Sequence, residues 1–168
     1  MNEGATGQSS VVIRQAGPAD ADELARLRWD FTVEEDPVPT ETPAAFARRF
    51  AATWRQYHGS GRWTVWVAED RLSHGLIGCI WVERVDKVPR PIPHADHMGY
   101  VTNVYVEPRQ RNRGVGTALL RAAVDHASER DWQQLFLWPS DASAAFYARA
   151  GFRPSNEVLE RSVAPSHG

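Results

Sequence analysis

The sequence predicts a mixed α/β domain (α+β in character), and three observations carry that expectation. Short β-branched and aromatic runs alternate with amphipathic helical stretches in the order β-α-α-β-β-β-α-β-α-β. Between Tyr100 and Ala127 a strand-like run passes through a glycine turn directly into a helix. The 168 residues, 42% apolar and 24% charged, suit one globular domain with a real core. No internal repeat or linker divides them.

Residues 1–9 are Gly-, Ser- and Thr-rich and read as a disordered tail, leaving one domain over 10–164 and a loose tail over 165–168. Val11, Val12 and Ile13 read as a first strand. Gly17-Pro18 ends it and starts a helix, with Asp20, Asp22 and Glu23 favourable at its positive end. Ala21, Leu24, Leu27 or Arg28, and Phe31 keep helical spacing, and the helix fades before Pro37. The acidic run Glu34-Glu35-Asp36 reads as a solvated connection, or as the wall of a site for a cationic amine. Thr42 is placed to cap a second helix with Pro43 in its first turn, and Phe46, Phe50, Thr53 or Trp54, and Tyr57 form its stripe.

Gly59-Ser60-Gly61 breaks the chain before two strands, Trp63–Glu69 and Leu76–Val85, which pair as a hairpin. Gly78 inside the second predicts a bulge or a close backbone approach. Three prolines make Asp86–Gly99 a long loop that includes His94, Asp96 and His97. Their H-x-D-H spacing is not that of a metal site, and no metal is expected. After the glycine turn, Leu119, Leu120, Ala123, Val124 and Ala127 form the buried face of a helix. Gln133–Trp138 reads as a strand, Ser140 or Asp141 as the cap of a short helix closed by Gly151, and Phe152 and Val158–Val163 as short final strands. Cys79, the one cysteine, reads as core and agrees with a reducing, cytoplasmic setting. A net charge of −2 argues against a broad nucleic-acid surface, and no run is apolar enough to span a membrane. Seven tryptophans are read mostly as core or pocket wall.

The stretch Tyr100–Ala127 carries the chemistry. Val101, Val104, Tyr105 and Val106 are β-rich, Pro108 stops the run, and Arg111, Arg113, Gly114 and Gly116 lead into the helix. Amides at a helix N-terminus attract anions, and glycines let a phosphate approach the main chain. G-x-G alone is weak, and neither a P-loop nor a dinucleotide fingerprint is present.

The longer string says more. Arg111-x-x-Gly114-x-Gly116, after V-Y-V-E-P and before A-L-L, resembles the coenzyme A signature of the GCN5-related N-acetyltransferases, the GNAT family. Phe146-Tyr147-x-x-x-Gly151-Phe152 resembles the family's Y-x-x-x-G-F ending, and I-R-x-A-x-P-A-D-A resembles its opening. The resemblance implies a central mixed, mostly antiparallel sheet, splayed between its fourth and fifth strands and flanked by about four helices. It implies that acetyl-CoA lies in the split, its pantetheine arm along the main chain of Val104, Tyr105 and Val106. Its pyrophosphate would rest on the amides of Arg111, Asn112, Arg113, Gly114, Val115, Gly116 and Thr117. Asn112 replaces a glycine common there, and Ser140 stands where many relatives have a cofactor-contacting asparagine.

For the reaction, the resemblance implies direct attack of a primary amine, of a small molecule or a peptide, on the thioester in a ternary complex. A backbone N–H near Val106 would hold the oxyanion, and Tyr147 would protonate the departing sulfur. The glutamate that many relatives carry early in the fourth strand is replaced by Tyr100, with Thr102 and Asn103 beside it. Glu34, Glu35, Glu83, His94 and His97 are the remaining candidate bases. A non-catalytic acyl-CoA sensor on the same fold is the alternative. An RNA- or nucleotide-binding module has only the basic run Arg109–Arg113 in its favour. The oligomeric state stays open, a homodimer being common among relatives.

Overall fold

The computed structural model describes residues 10–35, 38–91, 96–155 and 159. The expectations placed on residues 1–9, on His94 and on the C-terminal tail fall outside these residues, as does the strand expected over 158–163 except for Leu159. The chain forms two compact units, one through Trp138 and one from Pro139.

The first unit is built on a five-stranded sheet of order β1-β2-β3-β4-β5. Its strands are β1 (Val11–Gln15), β2 (Trp63–Asp70), β3 (Leu76–Asp86), β4 (His97–Val106) and β5 (Leu135–Phe136). The first four pair antiparallel, and β4 pairs β5 parallel. Alternation sorts the side chains: Val65, Val67, Cys79, Trp81 and Tyr105 share a cluster with Leu24, Leu27 and Trp54 of helices α1 (Ala21–Glu35) and α2 (Pro43–Ser60). The opposite face packs on helix α3 (Val115–Ser128), whose Leu119 approaches Gly78.

Local chemistry sets the helix ends. Pro18 opens a short 3-10 turn into α1, and the Gly17 N–H donates to the Asp20 carboxylate at 2.7 Å. Asp20 is also gripped by both terminal nitrogens of Arg14 at 2.8 Å, while Arg14 Nε donates to Glu69 at 2.6 Å. Thr42 caps α2 by accepting from the Ala45 N–H, with Pro43 in the first turn, and Gly61 ends it at φ 66°.

Four sequence expectations are corrected. The loop after β3 is shorter, because Asp86 belongs to β3 and His97–Gly99 to β4, where they continue the ladder opposite Asp86, Val85 and Arg84. The strand expected over Gln133–Trp138 shrinks to Leu135–Phe136, the residues that pair with β4. In α3 the inward position belongs to His126, 6% exposed, and Val124 is 39% exposed. In the second unit, helix α4 (Ala144–Arg149) starts after Ser143, which offers no side-chain cap, so neither Ser140 nor Asp141 is its cap.

Gly78 is the close approach its place in a strand suggested. A Cβ there would lie 2.8 Å from the Tyr105 carbonyl oxygen and 3.3 Å from Leu119 Cδ1. The first is backbone and cannot swing aside. Gly78→Ala is therefore expected to destabilise the fold by about 1–3 kcal/mol, as overpacking usually does. A lowered urea midpoint with an unchanged slope is the readout, and an unchanged midpoint would contradict the packing described.

Candidate functional site

The site begins with the two unequal edges of β4. Toward β3 it pairs along its whole length. Toward β5 the register holds only Gly99 with Leu135 and Tyr100 with Phe136, so among the described residues no strand pairs with that edge as β4 runs on to Val106. The sheet therefore splays between its fourth and fifth strands. A bulge marks the opening: Cys79 faces Tyr105 and Trp81 faces Thr102, so Asn103 and Val104 together oppose Ile80. Asn103 takes the left-handed conformation (φ 47°) that the bulge requires.

Main-chain direction follows from the ladder. The Glu107 N–H donates to the Ile77 carbonyl on the β3 side at 3.0 Å. By alternation, Tyr105 turns its main-chain groups to β3, and Val106 turns its N–H and C=O to the open edge. The Val106 carbonyl is taken by Arg111 Nε at 2.9 Å. Of the three residues singled out along this strand, Val106 is thus the one that faces the opening, and Val104 lies in the bulge.

Past Val106, a 3-10 turn (Pro108–Gln110) and an exposed turn over Arg111, Asn112, Arg113 and Gly114 lead into α3. Asn112 (φ 61°) and Gly114 (φ 81°) both adopt the left-handed region, so asparagine does the conformational work of the glycine it replaces. Gly114 is the N-cap and supplies no side-chain cap, and the first helical bond runs from Ala118 N–H to the Gly114 carbonyl. The amides of Val115, Gly116 and Thr117 are thus left pointing out of the helix end. Buried Val115 pins the turn to the core. This is an anion-receptive turn at the mouth of an open strand edge.

The Arg111 side chain is not free to meet that anion. Its guanidinium forms a two-pronged pair with Glu34 (2.6 and 2.7 Å) and lies 5.7 Å from the Tyr105 ring centroid. Arg111 holds the Glu34 carboxyl below the usual carboxylate range. Glu34 is therefore a clamp between α1 and the turn rather than a wall for a cation. A second tie joins the same elements: Arg26 reaches Glu107 at 2.8 Å, Asp30 at 3.1 Å, Glu23 at 3.0 Å and the Leu76 carbonyl at 2.6 Å.

The other candidate bases are engaged or exposed. Glu83 pairs with Arg62 at 2.7 Å, His97 Nδ1 lies 3.0 Å from Asp86, and Glu35 is exposed. Among the described residues no set of three His, Cys, Asp or Glu is grouped to hold a metal, and no helix is long and apolar enough to cross a membrane.

Ser140 and Tyr147 belong to the second unit. The Ser140 hydroxyl donates to Ser143 Oγ at 3.0 Å, and the Ser140 carbonyl accepts from Ser143 and Ala144. Tyr147 sits between Phe146 and Phe152, with centroids at 5.0 and 5.8 Å. Burial raises its phenol above the ordinary value, so it holds its proton at neutral pH. The Y-x-x-x-G-F spacing closes on itself, because the Ala150 and Phe152 amides both donate to the Tyr147 carbonyl and Gly151 turns the chain at φ 90°.

Two contacts escaped the sequence reading, the Glu34–Arg111 clamp and a hydrogen bond from Arg28 Nη1 to Asn103 Oδ1 at 3.0 Å. The second had a signal: an asparagine inside a β-branched run is out of place unless the strand bulges there.

Residues 61–154 match the family model of the acetyltransferase (GNAT) domain. The chain is 30% identical to the N-alpha-acetyltransferase RimI of Mycobacterium tuberculosis, over 85% of this chain and 78% of the relative. It is 31% identical to glucosamine 6-phosphate N-acetyltransferase 1 of Oryza sativa subsp. japonica, over 83% of this chain and 81% of the relative. A predicted acetyltransferase of Clostridium acetobutylicum, crystallised with acetyl-CoA, superposes with a TM-score of 0.77 over 94% of this chain and 99% of its own. At 23% identity that likeness speaks for the fold.

The clamp makes a pH-dependent prediction. The folded Glu34 pKa lies below its unfolded value, so the pairing stabilises above the unfolded pKa and is lost as pH falls through the folded one. The partners are 41% and 40% exposed, so solvent screening limits the effect to about 1 kcal/mol or less. Glu34→Gln is expected to lower the urea midpoint slightly at pH 7 and by progressively less as pH falls below the usual carboxylate range. An equal loss at every pH would assign the effect to packing.

Proposed function

The chain belongs to the GNAT acetyltransferases and is an acyltransferase that draws on acetyl-CoA; from that premise we propose that it binds acetyl-CoA along the open edge of β4 and acetylates a primary amine of a small molecule or peptide. The observation that carries this reading is the continuity of that edge with the uncapped start of α3. A pantetheine arm can add to β4 as a short strand would, reaching the main chain of Val104 and Val106. A pyrophosphate would rest on the exposed turn, where a Cβ at Gly114 would meet nothing within 4 Å and the Val115, Gly116 and Thr117 amides have no acceptor within the helix. Anion recognition then rests on main chain, with exposed Arg113 adding charge. A cofactor contact from Ser140 belongs to the same proposal.

Acetyl-CoA supplies an activated acyl group as a thioester. The chain's contributions are positional and electrostatic. The Val106 N–H, facing the open edge, is the donor for the developing oxyanion. Tyr147 gives its phenolic proton to the departing sulfur as the C–S bond breaks. The acceptor nitrogen forms the new C–N bond and releases a proton to solvent, so protons balance and the products are an amide and a free thiol. Both acceptor classes have a precedent in the relatives' names, one N-alpha-acetylation and the other glucosamine 6-phosphate. A cytoplasmic setting fits the single buried thiol.

Acetyl-CoA at about a hundred times its Kd is expected to stabilise the protein by about 2.7 kcal/mol, read as a rise in Tm. No shift at millimolar concentration would refute the binding reading. Tyr147→Phe is expected to lower kcat about 100-fold or more while acetyl-CoA affinity stays, because a general acid contributes at least that much. Loss of affinity with kcat intact would make Tyr147 structural.

The pH profile is a separate test. Glu34, Glu83 and His97 are paired, Glu35 is exposed and His94 lies outside the described residues, so the proposal takes the acceptor to lose its proton without a dedicated base. The rate should therefore rise with pH up to the acceptor's own pKa. Tyr147, raised above the usual phenol value, stays protonated across that limb. A plateau set near pH 6.5 for every acceptor would point instead to a histidine base.

A further inference from the structure

One arginine breaks the pattern set by the others near the site. Arg14, Arg26 and Arg111 each hold at least one carboxylate within 3.0 Å. Arg28, half-buried on α1, forms no ion pair with any described residue. Its guanidinium lies 5.3 Å from the Phe31 ring centroid and spends one N–H on Asn103 Oδ1 at 3.0 Å. A guanidinium has five donors, and a half-buried one without a counter-charge is costly unless something anionic completes it.

Its location gives the cost a purpose. Asn103 is the left-handed residue of the β4 bulge, where the sheet parts. Val106, the proposed oxyanion donor, lies three residues further along the strand, at most about 10 Å away at about 3.3 Å per extended residue and less through the bulge. That is the span of a small acceptor molecule. Asn103 aims the planar fork, and the ring of Phe31, itself stacked on Tyr105 at 5.4 Å, supports its face. Glu34, the carboxylate that could have drawn a cationic acceptor, is already neutralised by Arg111.

We infer that Arg28 is the specificity residue for an acceptor amine that carries its own anionic group, a carboxylate or a phosphate, held by the guanidinium while the amine reaches the acetyl carbon. This inference rests on the acetyl-transfer reading of the β4 edge. Bidentate recognition of planar or tetrahedral oxyanions is what arginine does better than lysine.

The test compares acceptors that differ only in the anion. One arm sets a panel of α-amino acids against their amides, and the other sets glucosamine 6-phosphate against glucosamine. Release of free CoA thiol gives kcat and KM. The anionic members of at least one arm are expected to be preferred about tenfold or more in kcat/KM, and the responding arm names the anion. Arg28→Gln should abolish the preference mainly through KM, with acetyl-CoA affinity by calorimetry unchanged, and Arg28→Lys should restore part of it. Asn103→Asp, which sets a carboxylate of the same size against Arg28, should erase the preference as well. Equal use of neutral and anionic acceptors by the unaltered protein would overturn the inference. So would an Arg28→Gln variant that lost both series equally, or tight acetyl-CoA binding with turnover in neither arm. Absence of acetyl-CoA binding would instead overturn the underlying reading, and the inference with it.

Discussion

The structure depends on one strand keeping two different edges. β4 must stay in register with β3 while its other edge, after two pairs with β5, meets no further strand among the described residues. An open edge is a liability that proteins usually cover, and here several features keep it in place. The bulge at Asn103 and Val104 adds twist where the sheet opens. Gly78 lets the Tyr105 carbonyl come closer than any side chain would allow. Arg26 ties α1 to Glu107, just past the strand, and Arg111 ties α1 to the Val106 carbonyl and the turn. The edge is held open from the α1 side by charge and from the α3 side by packing.

The same ties decide what is left to recognise an anion. In sequence, Arg111 and Arg113 looked like equal contributors of positive charge. In space, Arg111 has spent its fork on Glu34 and its Nε on Val106, so its charge is largely compensated. In the proposed reading the recognition falls to the first amides of α3, in a turn shaped by the left-handed Asn112 and Gly114 and by buried Val115. Rigid amides lose little entropy on binding, whereas a long flexible arginine would have to be ordered. This explains how the turn tolerates Asn112: it needs a backbone conformation there and no particular side chain.

Much of this was legible in the sequence because it is local. Thr42-Pro43 before an amphipathic stripe, Gly114 before A-L-L and Gly78 within a strand each state a backbone requirement that the structure meets. The misses are long-range. The short β5 follows from how soon the sheet splays, which no window around Gln133–Trp138 encodes. His126 was passed over because an α3 stripe of aliphatics reads as complete without it. It is buried between Trp66 and Trp132 and meets the Thr64 hydroxyl at 3.3 Å. The Glu34–Arg111 and Arg28–Asn103 contacts join residues 77 and 75 positions apart, so periodicity could not pair them.

The surroundings of the bulge also decide between two routes for an acyl group. A covalent route would need a nucleophile beside the open edge, and Cys79 is the residue of the right chemistry there, its Sγ 3.7 Å from both the carbonyl and the side-chain nitrogen of Asn103. Burial pushes its thiol up to about 12, so at pH 7 only about one molecule in 10⁵ would carry the thiolate. Its side chain is also fully enclosed in the cluster shared with α1 and α2. A thiol that is neither ionised nor reachable cannot take an acetyl group before an amine does. Cys79 therefore offers no covalent relay, which agrees with the proposed direct transfer from thioester to amine and leaves that proposal resting on what brings the amine to β4.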